Sequence, residues 1–149
     1  MSELQPIPIL MAEDDPEDRL LTREAFREGR LANPLFFVED GEALMDYLRR
    51  RGSYADEALY PFPGVVLLDL NMPRKDGRTC LAEIKRDPGL RHLPVVVLTT
   101  SAQEEEVVRS YDLGANSFVS KPVDFNKLVG IVQTFGCYWF SIVELPDAP

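Results

Sequence analysis

Short aliphatic runs recur along this chain, and each is followed by a segment whose apolar residues return at helical spacing. The runs are 7–12 (Ile-Pro-Ile-Leu-Met-Ala), Leu35-Phe36-Phe37-Val38, Val65-Val66-Leu67-Leu68, Leu93 to Leu98, and Asn116 to Ser120. Where apolar character is continuous rather than alternating, it predicts strands buried on both faces. Pro8 is tolerated near the start of the first strand, and Pro73 forbids continuation of the third. Pro16 suits the first position of a helix running up to Gly29, with Leu20, Leu21, Ala25 and Phe26 on its inner face. Asp40 is placed to cap a second helix with Leu44, Tyr47 and Leu48 inward. Arg49, Arg50 and Arg51 complement its C-terminal end, and Gly52 stops it. Leu81 and Ile84 mark a third helix that ends before Pro88. Ser101 and Glu104 form a capping box for a fourth, with Val107, Val108 and Tyr111, closed by Gly114. A fifth starts after Asp124, with Phe125, Leu128, Val129, Val132 and Phe135 inward. Five strands alternating with five helices predict an α/β domain, a parallel sheet with helices on both faces.

Composition narrows the function classes. At 149 residues the chain is expected to be one domain with one core. A net charge of −9 argues against nucleic acid or an anionic membrane as direct partner. Cys80 and Cys137 are not in a CxxC pairing, which suits free thiols in a reducing cytoplasm. No signal peptide and no apolar run of membrane-spanning length is evident. His92 has no neighbouring Cys or His for a zinc site and reads as a solvated turn residue. The connection from Ser53 to Pro63 holds two prolines and is longer than most in compact domains, as a partner-binding loop would be.

Chemistry-bearing residues gather at the strand ends. In open parallel sheets ligands collect outside the carboxyl ends of the strands. There the first strand delivers Glu13 and Asp14, the third Asp69, the fourth Thr99 and the fifth Lys121. Asp15 suffices to cap the first helix, which leaves Glu13 and Asp14 to be explained otherwise.

This set resembles the receiver domain of two-component response regulators. The matching pieces are the acidic pair Glu13-Asp14, the motif Asp69-Leu70-Asn71-Met72-Pro73, Thr99, and Lys121-Pro122. The separations match as well, with 30 residues from Asp69 to Thr99 and 22 from Thr99 to Lys121. The resemblance covers residues 7–135 and implies a CheY-like (flavodoxin-like) doubly wound sheet of order 2-1-3-4-5. It implies that Asp69 accepts a phosphoryl group from a histidine kinase. Asp14, Asp69 and the backbone carbonyl of Asn71 would bind Mg²⁺, or Mn²⁺ in its place, with Glu13 acting through water. Thr99 and Lys121 would hold phosphoryl oxygens, and Thr99 with Phe118 would form the switch. Phe118 keeps the ring of the commoner Tyr and lacks its hydroxyl, and Thr100 is bulkier than the usual small residue.

Elementary chemistry agrees with these roles. The carboxylates concentrate negative charge that would repel phosphate, and a hard divalent ion with oxygen ligands offsets it. Phosphoryl transfer is mostly positioning and charge neutralisation, so no general base is needed. The resemblance implies no enzyme beyond self-catalysed phosphoryl acceptance and slow autodephosphorylation. A phosphate sink or relay shuttle without its own target is the alternative, since residue types do not separate it from a signalling receiver with a downstream protein partner. A haloacid-dehalogenase-type phosphatase would carry a second Asp where Asn71 stands.

The long 53–63 connection, the 93–101 segment and the tail are similar to single-domain regulators partnered with bacterial phytochrome histidine kinases. Residues 136–149 form a C-terminal extension with an apolar stretch, Cys-Tyr-Trp-Phe-Ser-Ile-Val-Glu-Leu, unusual for a chain end. Burying Trp139, Phe140, Ile142 and Leu145 would contribute roughly 6–12 kcal/mol at about 1.5–3 each. Doubled by two-fold symmetry, that can exceed the roughly 4–15 kcal/mol cost of association, so a homodimer is expected, the alternative being a tail folded back along its own last helix.

Overall fold

A computed structural model describes residues 7–28, 33–70, 72 and 74–98, and the backbone of residues 99 and 117–120. Five strands form one parallel sheet: β1 (Ile9–Ala12), β2 (Leu35–Val38), β3 (Val65–Asp69), β4 (Val95–Thr99) and β5 (Ser117–Ser120). Their order is β2-β1-β3-β4-β5, as the resemblance implies. Three helices are described, α1 (Pro16–Glu28), α2 (Gly41–Leu48) and α3 (Gly77–Arg86). The two further helices expected after Ser101 and Asp124, and the tail with Trp139, Phe140, Ile142 and Leu145, lie outside the described residues.

The order reverses direction between β1 and β3, so the carboxyl ends of those two strands flank a topological switch point, where such sheets form a crevice. Ile9 through Ala12 and Val65 through Leu68 are wholly buried, which accounts for their unbroken apolar runs. On one face Leu10, Ala12, Val66, Leu68, Val95 and Val97 pack with Leu44, Tyr47 and Leu48 of α2 and Cys80, Leu81 and Ile84 of α3. By strand alternation Ile9, Met11, Leu67, Val96 and Leu98 point to the other face, and they too are fully buried.

Local chemistry sets the helix starts. Asp40 accepts the Ala43 N–H and Asp76 the Thr79 N–H, while Asp15 accepts that of Glu17 at 2.9 Å. The inner face of α1 differs from the sequence expectation. Leu20 and Leu21 are 54% and 48% exposed, whereas Thr22 and Phe26 are buried. Thr22 can occupy an inward position because its hydroxyl donates to the Asp18 carbonyl at 2.9 Å, so no polar atom is stranded.

Gly52 is not what turns the chain at the end of α2. Arg50 takes a left-handed φ of 59° first, Gly52 follows at 57°, and a single 3₁₀ turn spans Gly52–Ala55. Beyond it three tyrosine rings anchor the connection. Tyr47 lies 5.2 Å from Tyr54 and 5.8 Å from Tyr60, and Tyr54 and Tyr60 are 4.9 Å apart. The Tyr47 hydroxyl donates to the Pro61 carbonyl at 2.8 Å, and burial pushes its pKa up to about 12. The arginines are not equivalent either. Arg49 pairs with Glu83 and Asp87, and Arg51 with Asp46, each on or just after a helix.

Candidate functional site

The ladder brings the expected acidic residues to one edge. Ala12 pairs with Leu68 and Asp69 with Leu98, so Glu13 leaves β1 level with Asp69, the last residue of β3. Glu13 and Asp69 are buried and Asp14 is exposed, and a carboxylate oxygen from each lies within 4.8 Å of the others. Thr99 closes β4 opposite Ser120, which places its backbone and the end of β5 on the same edge. Phe118 of β5 pairs in register with Val97 of β4. The side chains of Thr99 and Phe118, and Asn71 and Lys121 altogether, lie outside the described residues.

The segment after Asp69 folds back tightly. The Gly77 N–H donates to the Leu70 carbonyl at 3.0 Å, and a Cβ at Gly77 would collide with the Asp69 carbonyl and Leu70 Cα. Only glycine allows α3 to start this close to the backbone that presents Asp69. Arg74 adopts a left-handed φ of 69° and reaches Asp40 at 3.5 Å and Glu42 at 3.7 Å. Lys75 pairs with Glu83 at 2.7 Å, tying the same loop to α3. Cys80, beside this junction, donates to the Gly41 carbonyl at 3.5 Å, and burial pushes its thiol up to about 12, so it is no nucleophile.

Sequence reasoning passed over Arg19. Its Nη1 donates to the Glu13 backbone carbonyl at 2.8 Å, and its Nη2 stands 3.8 Å from Glu39. A long basic side chain on a helix starting just after an acidic strand end was the available signal.

Three hard oxygen donors this close together fit a divalent cation. Octahedral ligands about 2.1 Å from an ion stand about 3–4.2 Å apart, so the spacing admits direct binding or one carboxylate acting through water. A free-standing acidic cluster of this kind, without a cation, would oppose folding rather than support it.

A family model described as "response regulator receiver domain" matches residues 9–133. This chain is a response regulator receiver. The receiver is 41% identical to response regulator Rcp1 of Synechocystis over 143 residues, which is 96% of this chain and 95% of that one. The Mn²⁺-bound form of Rcp1 superimposes with a TM-score of 0.70 over 95% of this receiver and 100% of that chain. The bacteriophytochrome response regulator AtBRR gives a TM-score of 0.83 at 42% identity, covering 97% of this receiver and 100% of that chain. The phosphorylated cyanobacterial phytochrome response regulator RcpA gives 0.72 at 40% identity, over 96% and 100%. These likenesses bear out the receiver assignment and phosphorylation-dependent two-component signalling, and they imply a histidine kinase partner. The acidic cluster fits divalent metal binding, as does the Mn²⁺-bound relative. Among the described residues no helix is long and apolar enough to cross a membrane.

Proposed function

We propose that Asp69 takes the phosphoryl group, from the phosphohistidine of a phytochrome-type kinase, with Mg²⁺ as the usual cation. The observation that supports this most is the meeting of Asp69 with Glu13 and Asp14 at the switch point of the sheet. A carboxylate oxygen of Asp69 forms the new bond to phosphorus as the donor's P–N bond breaks, the electron pair returning to the donor nitrogen. Asp14, exposed at the rim, and Asp69 would hold the ion directly, and buried Glu13 would orient its water. When bound, the ion would neutralise phosphoryl oxygens that the carboxylates otherwise repel. Thr99 and Lys121 are assigned the remaining phosphoryl oxygens, and Phe118 the readout of the modified state.

The donor has to reach this rim with a protein surface of its own. Leu20 and Leu21 stand exposed on the early turns of α1, directly after the acidic turn, and offer apolar area for such an encounter. The likeness to AtBRR and RcpA, both phytochrome response regulators, supports the kind of kinase.

The test is intact-mass spectrometry after incubation with acetyl phosphate and Mg²⁺, then with purified phosphorylated histidine kinases of the source organism. One added phosphoryl group is expected on the wild type and none on Asp69→Asn. Equal labelling of the two rules out Asp69. Transfer from a phytochrome kinase no faster than from unrelated kinases rules out that donor.

A further inference from the structure

We propose that Arg19 is a positioning residue for the cation site, acting by locking the peptide that carries Asp14. This rests on the cation reading above. The Glu13 N–H still belongs to the sheet, donating to the Val38 carbonyl at 3.0 Å, and its own carbonyl lies one residue beyond the end of β1 at Ala12. Arg19 takes over that position, with Nη1 donating to the carbonyl at 2.8 Å from a side chain only 20% exposed. The Glu13 carbonyl and the Asp14 N–H share one planar peptide unit. Fixing the oxygen therefore fixes the plane from which the exposed Asp14 side chain departs. The turn is closed from the other side, where the Asp15 N–H donates to Glu13 Oε2 at 3.3 Å and its carbonyl accepts the Arg19 N–H at 3.1 Å.

Neither helix electrostatics nor its ion pair explains an arginine here. A cation near a helix N-terminus opposes the macrodipole, and it also repels any divalent ion at the neighbouring carboxylates. Its acidic partner, Glu39, is 77% exposed at 3.8 Å, a geometry that contributes little. What remains is the charged hydrogen bond to the Glu13 carbonyl. Arg19 thus acts on the cation in two opposed ways, weakening it by charge and strengthening it by geometry. The geometry dominates, because the charge is spread over the whole guanidinium while the carbonyl bond determines a ligand's direction.

The opposition makes the proposal testable without phosphorylation. Mn²⁺ binding to full-length protein is titrated calorimetrically for wild type, Arg19→Met, Arg19→Lys and Glu39→Gln, with amide exchange followed at Asp14. Arg19→Met is expected to weaken binding about tenfold although it removes a repelling charge. Arg19→Lys should weaken it at least as much, because it keeps the charge and loses the fork. Glu39→Gln should stay within about twofold of wild type. Both Arg19 variants should exchange the Asp14 amide faster while melting within a few degrees of wild type. Arg19→Met binding as tightly as wild type or tighter overturns the proposal, as does unchanged Asp14 exchange. A wild type that binds no Mn²⁺ overturns the cation reading itself, and the role of Arg19 with it, while leaving the exchange result to show whether the lock exists.

Discussion

At the carboxyl edge of the sheet three carboxylates crowd within 4.8 Å, whereas at the amino edge three tyrosine rings pack at 4.9–5.8 Å under the connection into β3. The first arrangement collects like charges and gives up stability for chemistry, a common trade at functional sites. The second collects apolar area, and its central hydroxyl is satisfied by Pro61. Phosphoryl acceptance needs a site that a cation and a phosphate can enter and reorganise. An 11-residue connection without its own regular core needs the reverse, and the tyrosines supply it. The two ends should therefore answer differently to substitution.

Tyr47→Ala tests this most strongly. Removing a ring that is 1% exposed should cost about 3–5 kcal/mol in urea denaturation. Tyr47→Phe should cost only about 0.5–1.5 kcal/mol, the share of the hydrogen bond. Phosphate uptake per folded molecule should be the same in both variants as in wild type. A Tyr47→Ala protein as stable as wild type, or one that folds but cannot be phosphorylated, would break the comparison.

The two edges also differed in how visible they were beforehand. Alternating βα units force every strand's carboxyl end to the same side, so Glu13, Asp14 and Asp69 converge once the elements are recognised. The strands themselves are plain because burial on both faces leaves no polar interruption. Helix phase is less visible. Leu20 and Leu21 look like core, yet Thr22 turns inward because its hydroxyl finds the Asp18 carbonyl, a local bond that hydropathy does not register. The tyrosine cluster was hidden for a different reason. Tyr54 and Tyr60 sit in a segment with Ser, Asp, Glu and Pro that has no period, and only the folded path brings them to Tyr47. Arg19 reaches a backbone carbonyl, and such contacts leave no pattern in the residue types.

Arg50 is the exception at the stable edge, and it gives the next prediction. Its φ of 59° is costly for a non-glycine residue, and its Nη1 and Nη2 are shut off from water with no acceptor among the described residues. A cation–π contact with Tyr47 at 5.9 Å returns about 0.5–1 kcal/mol of this. Arg50→Gly relieves both strains and should stabilise by about 1 kcal/mol, raising the melting temperature by about 2–4 °C. Arg50→Met removes only the charge and should fall between glycine and wild type. A lower melting temperature for Arg50→Gly would mean that the ring contact outweighs strain and desolvation together.

The smallest expected effect lies between the two edges, where Glu83 ties α3 to the loop behind Asp69. The hydrogen bond from Lys75 is the main cause holding the Glu83 carboxyl below its ordinary value, with Arg49 adding to it. A depressed carboxyl stabilises the fold above its unfolded pKa of 4.5, and that contribution fades as pH falls through the folded value. Wild type should therefore exceed Glu83→Gln by about 0.3–1 kcal/mol near neutrality, the range for partly exposed pairs, with the gap closing on acidification. The side chain is 27% exposed, so 1 M salt should shrink the neutral gap as well. Urea midpoints of both proteins from pH 7 down to 4, at low and high salt, measure this directly. A gap that holds constant through that range would place the role of Glu83 in packing rather than charge.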